Sequence, residues 1–112
     1  FLKPFNFFDY ANLMGNCKLI MSDSGSITEE TSILKIPSVN LRDTFERQEG
    51  LERGLSIISK IKKEHIINSV KLSLLKNNYE SHPDYSIKNV SENFANIIHG
   101  YIDYINDKVW FK

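Results

Sequence analysis

Lys18-Leu19-Ile20-Met21-Ser22-Asp23-Ser24-Gly25-Ser26-Ile27-Thr28-Glu29-Glu30 is the stretch that decides the fold. Leu19-Ile20-Met21 is a short apolar run between polar residues, and its length suits a buried strand from Lys18 to Ser22 better than a helix. Asp23-Ser24-Gly25-Ser26 is turn chemistry. From Ile27 to Lys35 the spacing predicts a helix with Ile27, Thr31 and Leu34 on its inner side, stopped by Pro37. The unit is strand, glycine-bearing polar loop, helix.

Downstream, Ser38-Val39-Asn40-Leu41 predicts a second strand. Arg42 to Gly54 is a charged loop with Gly50, Gly54 and one helical turn, and Leu55-Ser56-Ile57-Ile58 predicts a third strand. Lys62 to Lys76 predicts a helix with Ile66, Ile67, Val70, Leu74 and Leu75 at three- and four-residue steps. Asn77 to Ile87 is a loop holding His82-Pro83-Asp84-Tyr85. In the final segment Val90, Phe94, Ile97, Ile98, Tyr101, Ile102 and Ile105 share one helical face, which needs something to pack on. Upstream, Phe5, Phe7, Phe8 and Tyr10 form an aromatic cluster with three members expected in the core. Tyr10 to Asn16 predicts a short helix with Leu13 and Met14 inward. Alternation of this kind implies an α/β layer with a parallel sheet.

With 112 residues the chain is one modest domain or one lobe of something larger. Its 14 Lys and Arg balance its 14 Asp and Glu, which argues against a general nucleic-acid or membrane-surface binder. The single cysteine, Cys17, makes no internal disulfide and fits a reducing, cytoplasmic setting. No apolar run reaches the roughly 18–20 residues of a membrane span, and nothing at the start reads as a signal peptide. Phe1-Leu2-Lys3-Pro4-Phe5 reads as mid-domain sequence, so a cut terminus or a missing upstream part is expected.

In an open parallel sheet ligands bind at the carboxyl ends of the strands, where Ser22 to Ser26 leads into a helix. A helix N-terminus presents unpaired N–H groups and partial positive charge. Gly25 lets an anion approach the N–H groups of Gly25 and Ser26, and Ser24 adds a hydroxyl: together, a diphosphate cradle without a lysine. Ser26-Ile27-Thr28-Glu29 equally fits a capping box, and the two readings are compatible. Glu30 suits vicinal ribose hydroxyls; its other reading is a carboxylate favouring the positive helix end. Arg42, Arg47 and Arg53 suit a phosphate or a salt-bridged loop with Glu46, Glu49 and Glu52, the latter favoured for Arg53. Tyr10 suits stacking on a base. His65, His82 and His99 lack metal-ligand spacing and read as surface residues or core satellites, so no metal is expected.

Ser22 to Glu30, then Ile36-Pro37, then Leu41-Arg42-Asp43-Thr44-Phe45-Glu46-Arg47-Gln48-Glu49-Gly50, resembles the non-hydrolysing UDP-N-acetylglucosamine 2-epimerases, bacterial enzymes of surface-polysaccharide synthesis. The resemblance covers nearly the whole chain. The tail, Pro83-Asp84-Tyr85 through Asn89-Val90-Ser91 to Tyr101-Ile102-Asp103-Tyr104 and Trp110, is similar to the capsule and O-antigen branch, some of whose members act on a UDP-linked 2-acetamido-2,6-dideoxy sugar. The resemblance implies two Rossmann-like domains in a GT-B-like arrangement. Residues 1–112 would be a partial C-terminal UDP-binding domain, without the N-terminal catalytic domain. It implies Ser24, Gly25 and Ser26 on the diphosphate, Glu30 on the ribose, Arg47 on the nucleotide-sugar and Tyr10 against the uracil. Ser26 and Gln48 depart from the glycine and proline of many relatives. The implied reaction removes the C2 proton, expels UDP to a glycal and adds it back with C2 inverted. The family's groups for those steps lie upstream, so no C2 base is assigned here. The implied partners are a UDP-sugar, the missing N-terminal domain or subunit and a second copy in a homodimer, with no cofactor. Two other readings stand beside this: a non-catalytic nucleotide-sugar-binding module or relic, and a GT-B glycosyltransferase lobe, against which the Glu-Arg-x-Glu segment argues.

Overall fold

Three short strands set the architecture in the computed structural model, which describes residues 1–44 and 46–111. Phe45, part of the motif quoted above, lies outside the described residues, as does Lys112. Strands β1 (Ile20–Ser22), β2 (Ser38–Asn40) and β3 (Ser56–Ile58) form a parallel sheet in the order β1-β2-β3. The register aligns Ser22 with Asn40 and Asn40 with Ile58, so all three carboxyl ends open on one edge. The α/β parallel arrangement expected from the alternation is present.

Among the described residues, five α-helices accompany the sheet: α1 (Phe7–Gly15), α2 (Ile27–Leu34), α3 (Gln48–Glu52), α4 (Lys63–Leu75) and α5 (Val90–Ile105). A 3₁₀ turn spans Pro83–Tyr85 and a π turn spans Asn106–Trp110. Helix α1 begins three residues before the expected start, because the Asn6 side chain caps it by accepting from the Asp9 N–H at 2.9 Å. Helix α2 ends on Lys35 in the left-handed region (φ 58°), and the Ile36 N–H bonds back to the Thr31 carbonyl at 3.0 Å.

The interior is unusually polar. Among the described residues its buried apolar side chains are Met14, Ile27, Ile36, Val39 and Leu55. Central strand β2 is buried along its length although its sequence is Ser-Val-Asn. Hydrogen bonding offsets part of this: the Thr31 hydroxyl donates to the Ile27 carbonyl at 2.6 Å and lies 3.1 Å from the Ser38 hydroxyl, whereas Thr28 Oγ1, Asn40 Oδ1 and Ser56 Oγ are buried without a partner among the described residues. Helix α2 therefore buries Ile27, Thr28, Thr31 and Ser32, and Leu34, expected inward, is exposed. Helix α4 likewise buries Ser69 and Ser73, with Ile66 and Val70 half-buried, while Ile67, Leu74 and Leu75 are exposed. Small hydroxyl side chains let both helices sit close to the sheet, and the longer apolar residues fall to the flanks.

The expectations for the N-terminal segment are corrected. Phe5, Phe7 and Phe8 are exposed and form no core, and Leu13 is also exposed, so Met14 is the buried side chain of α1. The amphipathic face of α5, which needs something to pack on, is left uncovered among the described residues: Val90 to Tyr104 are all exposed, and α5 packs chiefly against the π turn that follows it. No helix among the described residues is long and apolar enough to cross a membrane.

Candidate functional site

The loop after β1 is held by its own serine and by the next strand. The Ser22 hydroxyl accepts from the Ser24 N–H at 3.0 Å. Asn40, fully buried at the end of β2, donates from Nδ2 to the Ser24 carbonyl at 3.3 Å. The Ser24 and Ser26 hydroxyls share a hydrogen bond at 3.0 Å, and both residues are exposed. Among the described residues, the N–H groups of Gly25 and Ser26 have no partner. They lie at the positive end of α2, beside the exposed serine hydroxyls, as an anion cradle requires.

The capping box is not formed. Ser26 has helical backbone angles (φ −65°, ψ −13°) and its side chain makes no cap bond. A side-chain cap needs an extended residue to reach back to the helix N–H groups. Glu29, the other half of that box, points elsewhere: its Oε1 lies 2.6 Å from the Nε of Arg47, which precedes α3. Arg47 Nη1 also lies 3.3 Å from Glu46 Oε2. The hydrogen bond and charge of Glu29 hold the Arg47 guanidinium above its ordinary pKa. A Cβ on Gly25 would stand 2.8 Å from Arg47 Nη1, so this glycine is what lets the guanidinium lie against the loop. Ser24-Gly25-Ser26 and Glu46-Arg47, separated by some twenty positions in the chain, thus meet.

On the other flank, the Tyr10 hydroxyl donates to Glu30 Oε2 at 2.9 Å. Partial burial, with the hydrogen bond and charge of Glu30, raises the phenol's pKa. The candidate residues Tyr10, Ser24, Gly25, Ser26, Glu30 and Arg47 therefore cluster around the N-terminal turn of α2. Sequence reasoning gave Asn40 no role, placed Glu29 in a cap where it meets Arg47, and paired Glu49 with an arginine where it meets Tyr85. Asn40 left one signal, an amide closing an otherwise strand-like run.

Behind the site a second set of bonds seats α3. Tyr85 donates its hydroxyl to Glu49, which holds that carboxyl below its usual range, while burial and Glu49 push the phenol far up. His82 is a buried satellite of the core, its N–H donating to the Ser32 hydroxyl at 2.8 Å and its ring 5.1 Å from that of Tyr85. His65 and His99 are exposed, and the described residues include no cluster of metal-binding side chains. Arg42 and Arg53 have no ion pair among the described residues. The expected solvated, salt-bridged loop is met in part for Arg53: it is exposed, but among the described residues Glu46 and Glu49 are engaged by Arg47 and Tyr85 and Glu52 forms no ion pair. Arg53 instead lines a cavity with Leu55, Lys76 and Glu80 at the amino end of β3.

A parallel sheet that opens its carboxyl ends on a glycine-serine loop, a bare helix N-terminus and an arginine defines a Rossmann-like lobe. The sequence pattern of one family with that fold, UDP-N-acetylglucosamine 2-epimerase, matches residues 1–99, and the chain belongs to this family. A UDP-N-acetylglucosamine 2-epimerase of Methanococcus maripaludis is 32% identical over 99 residues, which are 88% of this chain and 27% of the relative. The solved UDP-N-acetylglucosamine 2-epimerase of Rickettsia bellii is 41% identical, with a TM-score of 0.88 over 99% of this chain and 32% of its own. The Methanocaldococcus jannaschii UDP-GlcNAc 2-epimerase, solved in complex with UDP-GlcNAc and UDP, is 31% identical, with a TM-score of 0.70 over 88% of this chain and 27% of its own. The chain thus spans between a quarter and a third of the length of these proteins.

Proposed function

We propose that this chain forms the UDP-binding half of the active site of a UDP-2-acetamido-sugar 2-epimerase, as most of the C-terminal domain of a two-domain enzyme. Ser24, Gly25 and Ser26 hold the diphosphate, Arg47 offsets its charge, Glu30 takes the ribose hydroxyls and Tyr10 lies against the uracil. The observation that carries this reading is the convergence of the partnerless Gly25 and Ser26 N–H groups with the Arg47 guanidinium. The relative solved with UDP-GlcNAc and UDP supports it. In the reaction, proton loss at C2 and departure of UDP from C1 give a glycal, and UDP then adds back to C1 as a proton is returned to the opposite face of C2, leaving C2 inverted. The chain's part is to bind and stabilise the leaving UDP. The proton-transfer groups belong to the upstream domain, for which the bare apolar face of α5 is a docking surface. The setting is cytoplasmic, in the supply of capsule or O-antigen sugars.

Replacing the matching third of the Rickettsia bellii protein with this chain tests the reading. Epimerase turnover by the chimaera is the expected result. A folded chimaera that binds UDP and turns nothing over would favour a non-catalytic nucleotide-sugar-binding module.

A further inference from the structure

The Tyr10 hydroxyl does more than complete an aromatic ring. Tyr10 and Glu30 stand on different helices, α1 and α2, and are joined by the 2.9 Å bond from the phenol to Oε2. A Glu carboxylate otherwise turns about a broad, roughly two-fold terminal torsion. One directed hydrogen bond fixes that torsion and leaves Oε1, with the second lone pair of Oε2, free to accept. Glu30 is half-buried and Tyr10 is 40% exposed, so the pair sits at the rim of the site with its remaining acceptor sites open.

We infer that Tyr10 is a positioning residue for ribose recognition: its hydroxyl presets the Glu30 carboxylate toward the vicinal hydroxyls and makes the site selective for ribo- over 2′-deoxyribonucleotides. This rests on the nucleotide reading of the site and adds a function for the hydroxyl that a stacking ring does not need. A carboxylate already held in its bound orientation loses less freedom when the ribose arrives. Selectivity follows because a ribose lacking one hydroxyl leaves an acceptor of the preset carboxylate unmatched.

The test is calorimetric titration of the chain with UDP and with 2′-deoxy-UDP, for the wild type, Tyr10→Phe, Glu30→Gln and the double variant. Tyr10→Phe keeps the ring and removes only the hydroxyl. The wild type is expected to prefer UDP by roughly tenfold or more. Tyr10→Phe should cut that preference roughly three- to tenfold, through weaker UDP binding and with 2′-deoxy-UDP binding little changed. The double variant should be no less selective than Glu30→Gln, because the hydroxyl acts through that carboxylate. An unchanged preference in Tyr10→Phe, an equal loss for both ligands, or tighter UDP binding would each overturn the positioning role alone. Absence of UDP binding by the folded wild type would overturn the nucleotide reading, and this inference with it.

Discussion

Arg47 Nε lies 2.6 Å from Glu29 Oε1, and Arg47 Nη1 occupies the space that a side chain on Gly25 would need. That one guanidinium joins the loop after β1 to the segment before α3. It also explains why a glycine, a glutamate one turn into a helix and a distant arginine belong to a single site.

Arg47→Lys should therefore fail to substitute. An ammonium cannot both meet Glu29 and lie flat against Gly25, because it lacks the planar fork. UDP affinity should fall roughly tenfold, as for a lost charge-assisted contact. Calorimetry beside Arg47→Ala checks this: similar losses are expected, and wild-type affinity in the lysine variant would show that charge alone suffices.

The two glycines of this region should behave differently on substitution. A Cβ at Gly25 meets the mobile end of Arg47, so Gly25→Ala should leave stability nearly unchanged while weakening UDP binding. A Cβ at buried Gly50 would clash with Thr28 Cγ2, also buried. Gly50→Ala should cost about 1–3 kcal/mol, the usual range for overpacking. Thr28→Ser in the same chain removes that methyl and should recover part of the loss. Urea unfolding of the three variants beside the wild type gives the comparison.

The Tyr85–Glu49 bond predicts an acid dependence. The folded-state pKa of Glu49 is depressed, first by the Tyr85 hydrogen bond. Its stabilising contribution is then fully present above the ordinary carboxylate pKa and is lost as pH falls through the depressed value. Tyr85→Phe should return Glu49 towards its ordinary range and flatten that part of the stability curve. Urea midpoints between about pH 2.5 and 6, with the Glu49 carboxyl followed by NMR, would show it. An unchanged Glu49 titration would rule out the bond as the cause.

Helix α5 packs chiefly on its own π turn. Removing residues 89–112 should lower the melting temperature of the remainder by less than about 4 °C, the equivalent of roughly 1 kcal/mol. It should also reduce self-association, because the exposed apolar face goes with it. A cooperative loss of the whole fold on truncation would mean that α5 supports the sheet.

Much of this was legible in the sequence, for reasons visible in particular residues. Leu19-Ile20-Met21 and Leu55-Ser56-Ile57-Ile58 marked strands because short apolar runs with polar ends have few alternatives. Side-chain burial was less legible. Leu34, Ile67, Leu74 and Leu75 obey helical periodicity yet lie exposed, while Thr28, Thr31, Ser69 and Ser73 take the sheet-facing positions. Periodicity identifies a face, but close packing against a sheet selects small side chains. Phe5, Phe7 and Phe8 misled for a related reason: hydrophobicity carries no information about whether the chain itself supplies a cover. At the site, Ser24, Gly25, Ser26, Glu30, Arg47 and Tyr10 were named from pattern and resemblance, and they cluster. The actual contacts of Glu29, Asn40 and Glu49 were not legible, because each spans sixteen or more positions and depends on how strands and helices align.

The measurement that bears most directly on the central claim is calorimetric titration of this chain with UDP, repeated with Ser24→Ala and Glu30→Ala. Saturable binding by the wild type, weakened by both substitutions in chains that remain folded, is the expected result. Failure of the folded wild type to bind, or binding untouched by either change, would contradict a UDP half-site on the loop between β1 and α2.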